Sequence, residues 1–142
     1  MATKKAAAKK TATRTVTPQA APTHSDLRRI ARAIVTATCM GELDRLLDLY
    51  AEGAESEEVG AGQIVRGIAN VEDKLRAWAK AHPEAVYHPA GLWCDGQTII
   101  IEWEITLRSK GRKVVLRELA LHEIRAGKIN RERYYYDPKA LA

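Results

Sequence analysis

No apolar run in the 142-residue chain approaches the ~18–20 residues that a membrane-crossing helix needs, so no membrane association is expected. Cysteine is scarce. Cys39 and Cys94 stand far apart with no C-x-x-C pair, which argues against a dithiol or thiolate-metal site. Inert packing in a reducing cytoplasm is the simpler expectation, with a disulfide left open. His24, His82 and His88 fall at element ends without ligand spacing, so neither a metal nor a cofactor is expected. Gly60-Ala61-Gly62 is followed by no Lys-Ser/Thr pair and is not a phosphate loop. No internal repeat is present. Ala6–Ala8 is too short for the apolar core of a signal peptide, which again points to the cytoplasm.

Acid is missing from residues 1–16, which hold Lys4, Lys5, Lys9, Lys10 and Arg14. The net charge is +5, and removing those five from 23 basic residues leaves 18, matching the 18 acids. The basicity belongs to a tail, and the remainder lacks the charge of a broad phosphate-binding face. Residues 1–23 are Ala/Lys/Thr-rich with Pro18 and Pro22, a composition too poor in apolar side chains to offset ordering. A solubilising tail, a polyanion-binding tail and a transit-like address all fit it; nucleic acid is expected as a partner only through this segment. Residues 24–142 make one domain, large enough for a core and ordinary in composition, with 46% hydrophobic and 29% charged residues.

Within that domain Leu27, Ile30, Ala31, Ile34 and Val35 recur at helical spacing after Ser25 or Asp26 as N-cap. Leu43, Leu46, Leu47 and Tyr50 predict a second helix that starts at Gly41 and closes at Gly53. Short extended pieces follow at 54–59 and 63–66. A third helix is predicted over 70–81, capped by Asn70 with Asp73, with Val71, Leu75 and Trp78 on one face and His82-Pro83 ending it. Strands are then predicted at 85–94, 97–108, 113–125 and 128–136, separated by Asp95-Gly96, Lys110-Gly111 and Ala126-Gly127. In the second of these strands Ile99, Ile101, Trp103, Ile105 and Leu107 share one face. Helices followed by an antiparallel meander define an α+β fold, with three helices from the N-terminal half over a curved sheet and a pocket between.

Several segments carry a resemblance in the same order. Met40-Gly41-Glu42-Leu43-Asp44-Arg45-Leu46-Leu47-Asp48-Leu49-Tyr50-Ala51 is similar to a "GDLD…LFADDA" segment, and Val65-Arg66-Gly67 to the motif before a third helix. Asp95-Gly96, Glu102-Trp103, Gly127-Lys128-Ile129 and Tyr134-Tyr135-Tyr136-Asp137-Pro138 complete the set. Together they resemble the nuclear transport factor 2 superfamily and its SnoaL-like members over residues 26–138. The resemblance implies a cone-shaped, antiparallel-rich cystatin-like sheet around a central pocket, and a fold that hosts ketosteroid isomerases, polyketide cyclases and non-enzymes alike.

It also places residues. Glu58 matches the isomerase's general base in position and charge. The isomerase's oxyanion acid falls at Ala120 and its helix-one tyrosine at Ile34; loss of both donors argues against steroid isomerisation. With Ala120 inward, strand alternation brings Leu116, Glu118, His122 and Ile124 to the same side, and the match places Tyr134 and Tyr136 inward. Ile99, Ile101 and Trp103 would form the opposite wall, with Leu75 and Trp78 the roof. A small hydrophobic or aromatic molecule suits such a cavity. Glu58 is then a general base or a solvated strand-end acid beside Glu55 and Glu57, and His122 a catalyst or a wall residue. Glu118 and His122 would stand ~13 Å apart along their strand, too far for a dyad, leaving Glu118 to pair with Arg133 or with neighbours of Arg117. The outer sheet face, with Val115, Leu119, Leu121 and Tyr135, suits a homodimer contact.

Overall fold

A computed structural model describes residues 20–142 of the chain. The basic stretch of the tail lies outside the described residues, and so do the roles considered for it. Helix α1 (His24–Met40) begins one residue before the expected cap. Thr23, in extended backbone, accepts a hydrogen bond from the Asp26 amide at 3.1 Å, while the Asp26 carboxylate accepts from the Thr23 amide at 3.1 Å. That reciprocal pair makes Asp26 the third residue of a capping box, not the cap itself. Leu27, Ile30, Ala31, Ile34 and Ala37 form the buried stripe of α1, and Gly41 ends it at φ 67°.

Helix α2 (Leu43–Leu47) is short, and strand β1 (Tyr50–Glu58) starts where the second helix was expected to continue. Gly53 therefore lies inside β1 and caps nothing. Tertiary pairing overrides the helical spacing here: Tyr50 aligns with Ile129 of the last strand, and the Ile129 amide donates to the Leu49 carbonyl at 2.8 Å. A 3-10 turn (Val59–Ala61) and strand β2 (Gln63–Arg66) lead to helix α3 (Ile68–Ala81). Its N-cap is Gly67 at φ 83°, not Asn70, whose side-chain amide donates to the Arg66 carbonyl at 2.8 Å from inside the first turn.

The meander consists of β3 (Val86–Asp95), β4 (Thr98–Ser109), β5 (Arg112–Arg125) and β6 (Lys128–Tyr135). The sheet order is β2-β1-β6-β5-β4-β3; β1 runs parallel to β6 and all other pairs are antiparallel. Register shifts in β1, at Pro89/Gly91 and at Glu123/Ile124 interrupt the ladders, and such bulges bend strands. The sheet is curved and unclosed. Its concave face carries Ile99, Ile101, Trp103, Ile105 and Leu107 of β4 and Leu116, Ala120 and Ile124 of β5, all buried against the α1 stripe and Val71. Full burial of each large apolar side chain contributes about 1.5–3 kcal/mol. The convex face is laced with ion pairs, Arg131 to Glu55 and Glu57 and Arg133 to Glu123, each at 3.2 Å. No described helix is long and apolar enough to cross a membrane. Both cysteines are free, Cys39 exposed and Cys94 half-buried.

Candidate functional site

Between the helices and the concave face lies a cavity of about 440 Å³, within the size range of small-molecule sites. Its wall is mainly apolar and aromatic. Ile34 comes from α1, Leu75 and Trp78 from α3, Tyr87 from β3, Trp103 from β4, Tyr134 from β6 and Tyr136 from the segment after it. The Trp78 indole donates to the Tyr87 hydroxyl at 2.7 Å, and Tyr87 meets Trp103 edge to face with centroids 5.8 Å apart. Ile99, Ile101 and Ala120, expected as wall residues, are instead sealed in the core with Leu27, Ile30 and Ala31. Helix α1 fills that end of the cone, so the hollow stops short of them.

The polar groups fall into two connected sets. Inward alternation on β1 brings Ser56 and Glu58 to the concave side, while Glu55 and Glu57 turn outward to Arg131. Glu58 lines the cavity and accepts from Lys74 Nζ at 2.5 Å, so it is not a solvated strand-end acid. The Lys74 ammonium also rests over the Tyr134 ring, 4.6 Å from its centroid. Beside them Glu118 is buried, and among the described residues no hydrogen bond or ion pair reaches its carboxyl. The pairing left open for it with Arg133 does not form, because Arg133 lies on the convex face with Glu123. Burial and then the Glu58 carboxylate push the Glu118 carboxyl up to about 8, against a weaker pull from Lys74. At neutral pH it is a protonated acid. Burial and Glu58 also raise the Tyr136 hydroxyl.

The second set surrounds Glu132, which is fully buried. Its carboxylate accepts from the Tyr50 hydroxyl and the Ser56 hydroxyl, both at 2.6 Å. The third neighbour is His122, 2% exposed, with Nδ1 at 3.4 Å from Glu132 Oε2, in ion-pair range but longer than an ordinary hydrogen bond. Burial pushes the Glu132 carboxyl up, but His122, the Lys74 charge and the Ser56 hydroxyl outweigh it and hold the pKa below the ordinary value. His122 lines the cavity, and neither ring nitrogen has a normal hydrogen bond among the described residues. A carboxylate at Nδ1 favours the proton there, which leaves Nε2 as the accepting atom.

Sequence reasoning named Glu58, Glu118, His122, Tyr134 and Tyr136 but missed Lys74, Glu132, Tyr50 and Ser56. Two of those had a signal. Lys74 lies three residues after Val71 and four before Trp78, on the face that meets the sheet. The alternation that turns Tyr134 inward also turns Glu132 inward. Its pairing with His122 is harder to foresee, because an unbulged hairpin through Ala126-Gly127 sets His122 opposite Arg131. The extra residue, Asn130, shifts the register so that His122 faces Glu132. Gly60, set aside as a phosphate loop, permits a close approach: a Cβ there would stand 2.8 Å from the Tyr136 carbonyl oxygen.

A curved sheet, three helices and a polar-studded hollow define a cone of the nuclear transport factor 2 type. The model of the SnoaL-like domain matches residues 31–132, and the chain belongs to that family. Among solved structures it resembles a candidate polyketide cyclase from Sinorhizobium meliloti, with 23% identity, TM-score 0.64 and coverage of 78% of this chain and 97% of that one. TerC co-crystallised with polyporic acid has 15% identity and TM-score 0.72, with 81% and 94% covered. A protein of unknown function from Burkholderia pseudomallei has 16% identity and TM-score 0.72, with 82% and 98% covered. At such identities the likeness is one of fold. No curated protein matches the chain in sequence.

Proposed function

We propose that this SnoaL-like domain binds a small apolar or aromatic molecule in its cone and moves a proton on it, as in isomerisation or intramolecular aldol cyclisation. The observation that carries this reading is the His122–Glu132 pair. A buried carboxylate saturated by Tyr50 and Ser56 backs one ring nitrogen, and the other, itself buried in the cavity wall, has no partner among the described residues. This is the arrangement of an oriented general base. Glu58 is the second group able to take a proton, but it must first loosen its hold on Lys74. The hydroxyl of Tyr136 is a donor for an oxygen that gains charge. TerC, of similar fold, was co-crystallised with polyporic acid, which supports a small-molecule ligand.

The test is proton exchange on 2-tetralone in D2O, followed by NMR with wild type, His122→Ala and Glu58→Gln. Wild type accelerates exchange, and His122→Ala loses about 10²-fold or more of that acceleration. Exchange untouched by either substitution, with tetralone bound, contradicts the reading.

A second reading, a dimeric binding module, rests on the convex face. Leu119 and Tyr135 are register partners there, both exposed, with exposed Val115 and Trp93 on the same side. A patch of this kind suits an isologous contact between two copies.

A further inference from the structure

The small-molecule reading leaves the charge of the ligand open, and the cavity's own charges constrain it. Three carboxyl groups, Glu58, Glu118 and Glu132, stand in or directly beneath the wall. Against them, among the described residues that line the cavity, is one permanent cation, Lys74, already committed to Glu58 through a contact in which both side chains are largely buried. Glu132 has Tyr50, Ser56 and His122. Among the described residues Glu118 alone of the three has no partner, although it is only 9% exposed. A largely buried carboxyl without a protein partner is a group that a ligand in the cavity can pair with.

The wall around it is built for a cation. Trp78, Tyr87, Trp103, Tyr134 and Tyr136 present aromatic surface to the hollow, and ring faces attract ammonium groups. The molecule already shows the contact once, in the Lys74 ammonium over Tyr134.

We infer that the cone takes an aromatic amine in its protonated form, the ammonium seated on the Glu118 carboxylate and the ring held among the aromatic side chains. This rests on the cavity being a small-molecule site. An incoming ammonium supplies the missing partner, and Glu118 then gives its proton to the solvent, so binding releases a proton. A carboxylate ligand can accept a hydrogen bond from protonated Glu118, but it adds a negative charge to a hollow in which Glu58 and Glu132 already outnumber Lys74. A neutral ligand accepts one hydrogen bond from Glu118 and leaves the excess of acid unbalanced. With the ammonium at Glu118, the far end of the molecule extends toward His122, four residues along the same face of β5 and so ~13 Å away by strand rise.

Isothermal titration with three matched probes separates these cases: 2-(2-naphthyl)ethylamine, 2-(2-naphthyl)ethanol and 2-naphthylacetate. At pH 7 the amine should bind about tenfold or more tighter than the alcohol, and the acid weakest of the three. Repeating the titration in phosphate and in Tris, which differ in ionisation enthalpy, should register proton release for the amine alone. Glu118→Gln should bring the amine down to the affinity of the alcohol while leaving alcohol binding within about threefold of wild type; retained alcohol binding also shows that the variant is folded. Equal affinity for amine and alcohol, a preference for the acid, or a preference for the amine that survives Glu118→Gln overturns the inference and leaves the small-molecule reading standing. Binding of none of the probes overturns both.

Discussion

Glu118 and Glu132 are both buried carboxyls of the same cone, yet they are driven in opposite directions. Among the described residues Glu132 has three donors around it, which favour its ionised form; Glu118 has none, and its neutral form is favoured. Stability should therefore depend on pH in a predictable way. An unfolded Glu118 titrates near 4.5 and the folded one near 8, so its favourable contribution is complete below about 4.5 and is lost as pH rises toward 8. Glu132 has the reverse sign: its contribution is present above the unfolded value and is lost as pH falls through the folded one. Glu118→Gln removes the first effect. The variant should match wild type near pH 5 and exceed it by about 2–4 kcal/mol at pH 8, read from urea unfolding at both pH values. An unchanged difference between the two pH values counts against a raised Glu118.

At the scale of elements, what was legible in the sequence is what local chemistry alone decides. The turns at Lys110-Gly111 and Ala126-Gly127 both hold two residues at positive φ, the geometry of a tight two-residue hairpin. The alternation of β4 follows directly from Ile99, Ile101, Trp103, Ile105 and Leu107. Where long-range pairing decides, the sequence misleads. Tyr50 completes an apolar helical stripe with Leu43, Leu46 and Leu47, but its hydroxyl belongs to Glu132 and its backbone to β6. The Asn130 bulge is likewise set by the sheet and left no local mark. Local chemistry still has a cost at Ala126, which adopts φ 52° without being glycine or asparagine. Left-handed backbone costs such a residue roughly 1–2 kcal/mol. Ala126→Asn should therefore raise stability by about 1 kcal/mol, visible as a higher melting temperature; a lower one shows that the turn has other constraints.

The whole molecule presents two faces with different tasks. The concave face and its helical cover enclose a hollow that Glu58, Trp78, Trp103, Tyr134 and Tyr136 all reach. The convex face exposes Trp93, Val115, Leu119 and Tyr135, the patch on which the proposed dimer reading rests. Sedimentation equilibrium at micromolar concentration should give a dimer mass for wild type and a monomer mass for Leu119→Glu, whose charge would be buried at the contact. A monomeric wild type removes the dimer reading and leaves the cone untouched.

The claim on which the functional account turns is that Glu132 holds His122 with its proton on Nδ1, so that Nε2, buried and unpartnered among the described residues, is the ring atom that a bound ligand meets. Two-bond ¹H–¹⁵N spectra of the His122 ring test it directly, with and without saturating 2-(2-naphthyl)ethanol. The account predicts a proton on Nδ1 and an Nε2 signal that shifts when the probe fills the cone. A neutral ring protonated on Nε2, or an Nε2 signal indifferent to the bound probe, contradicts it.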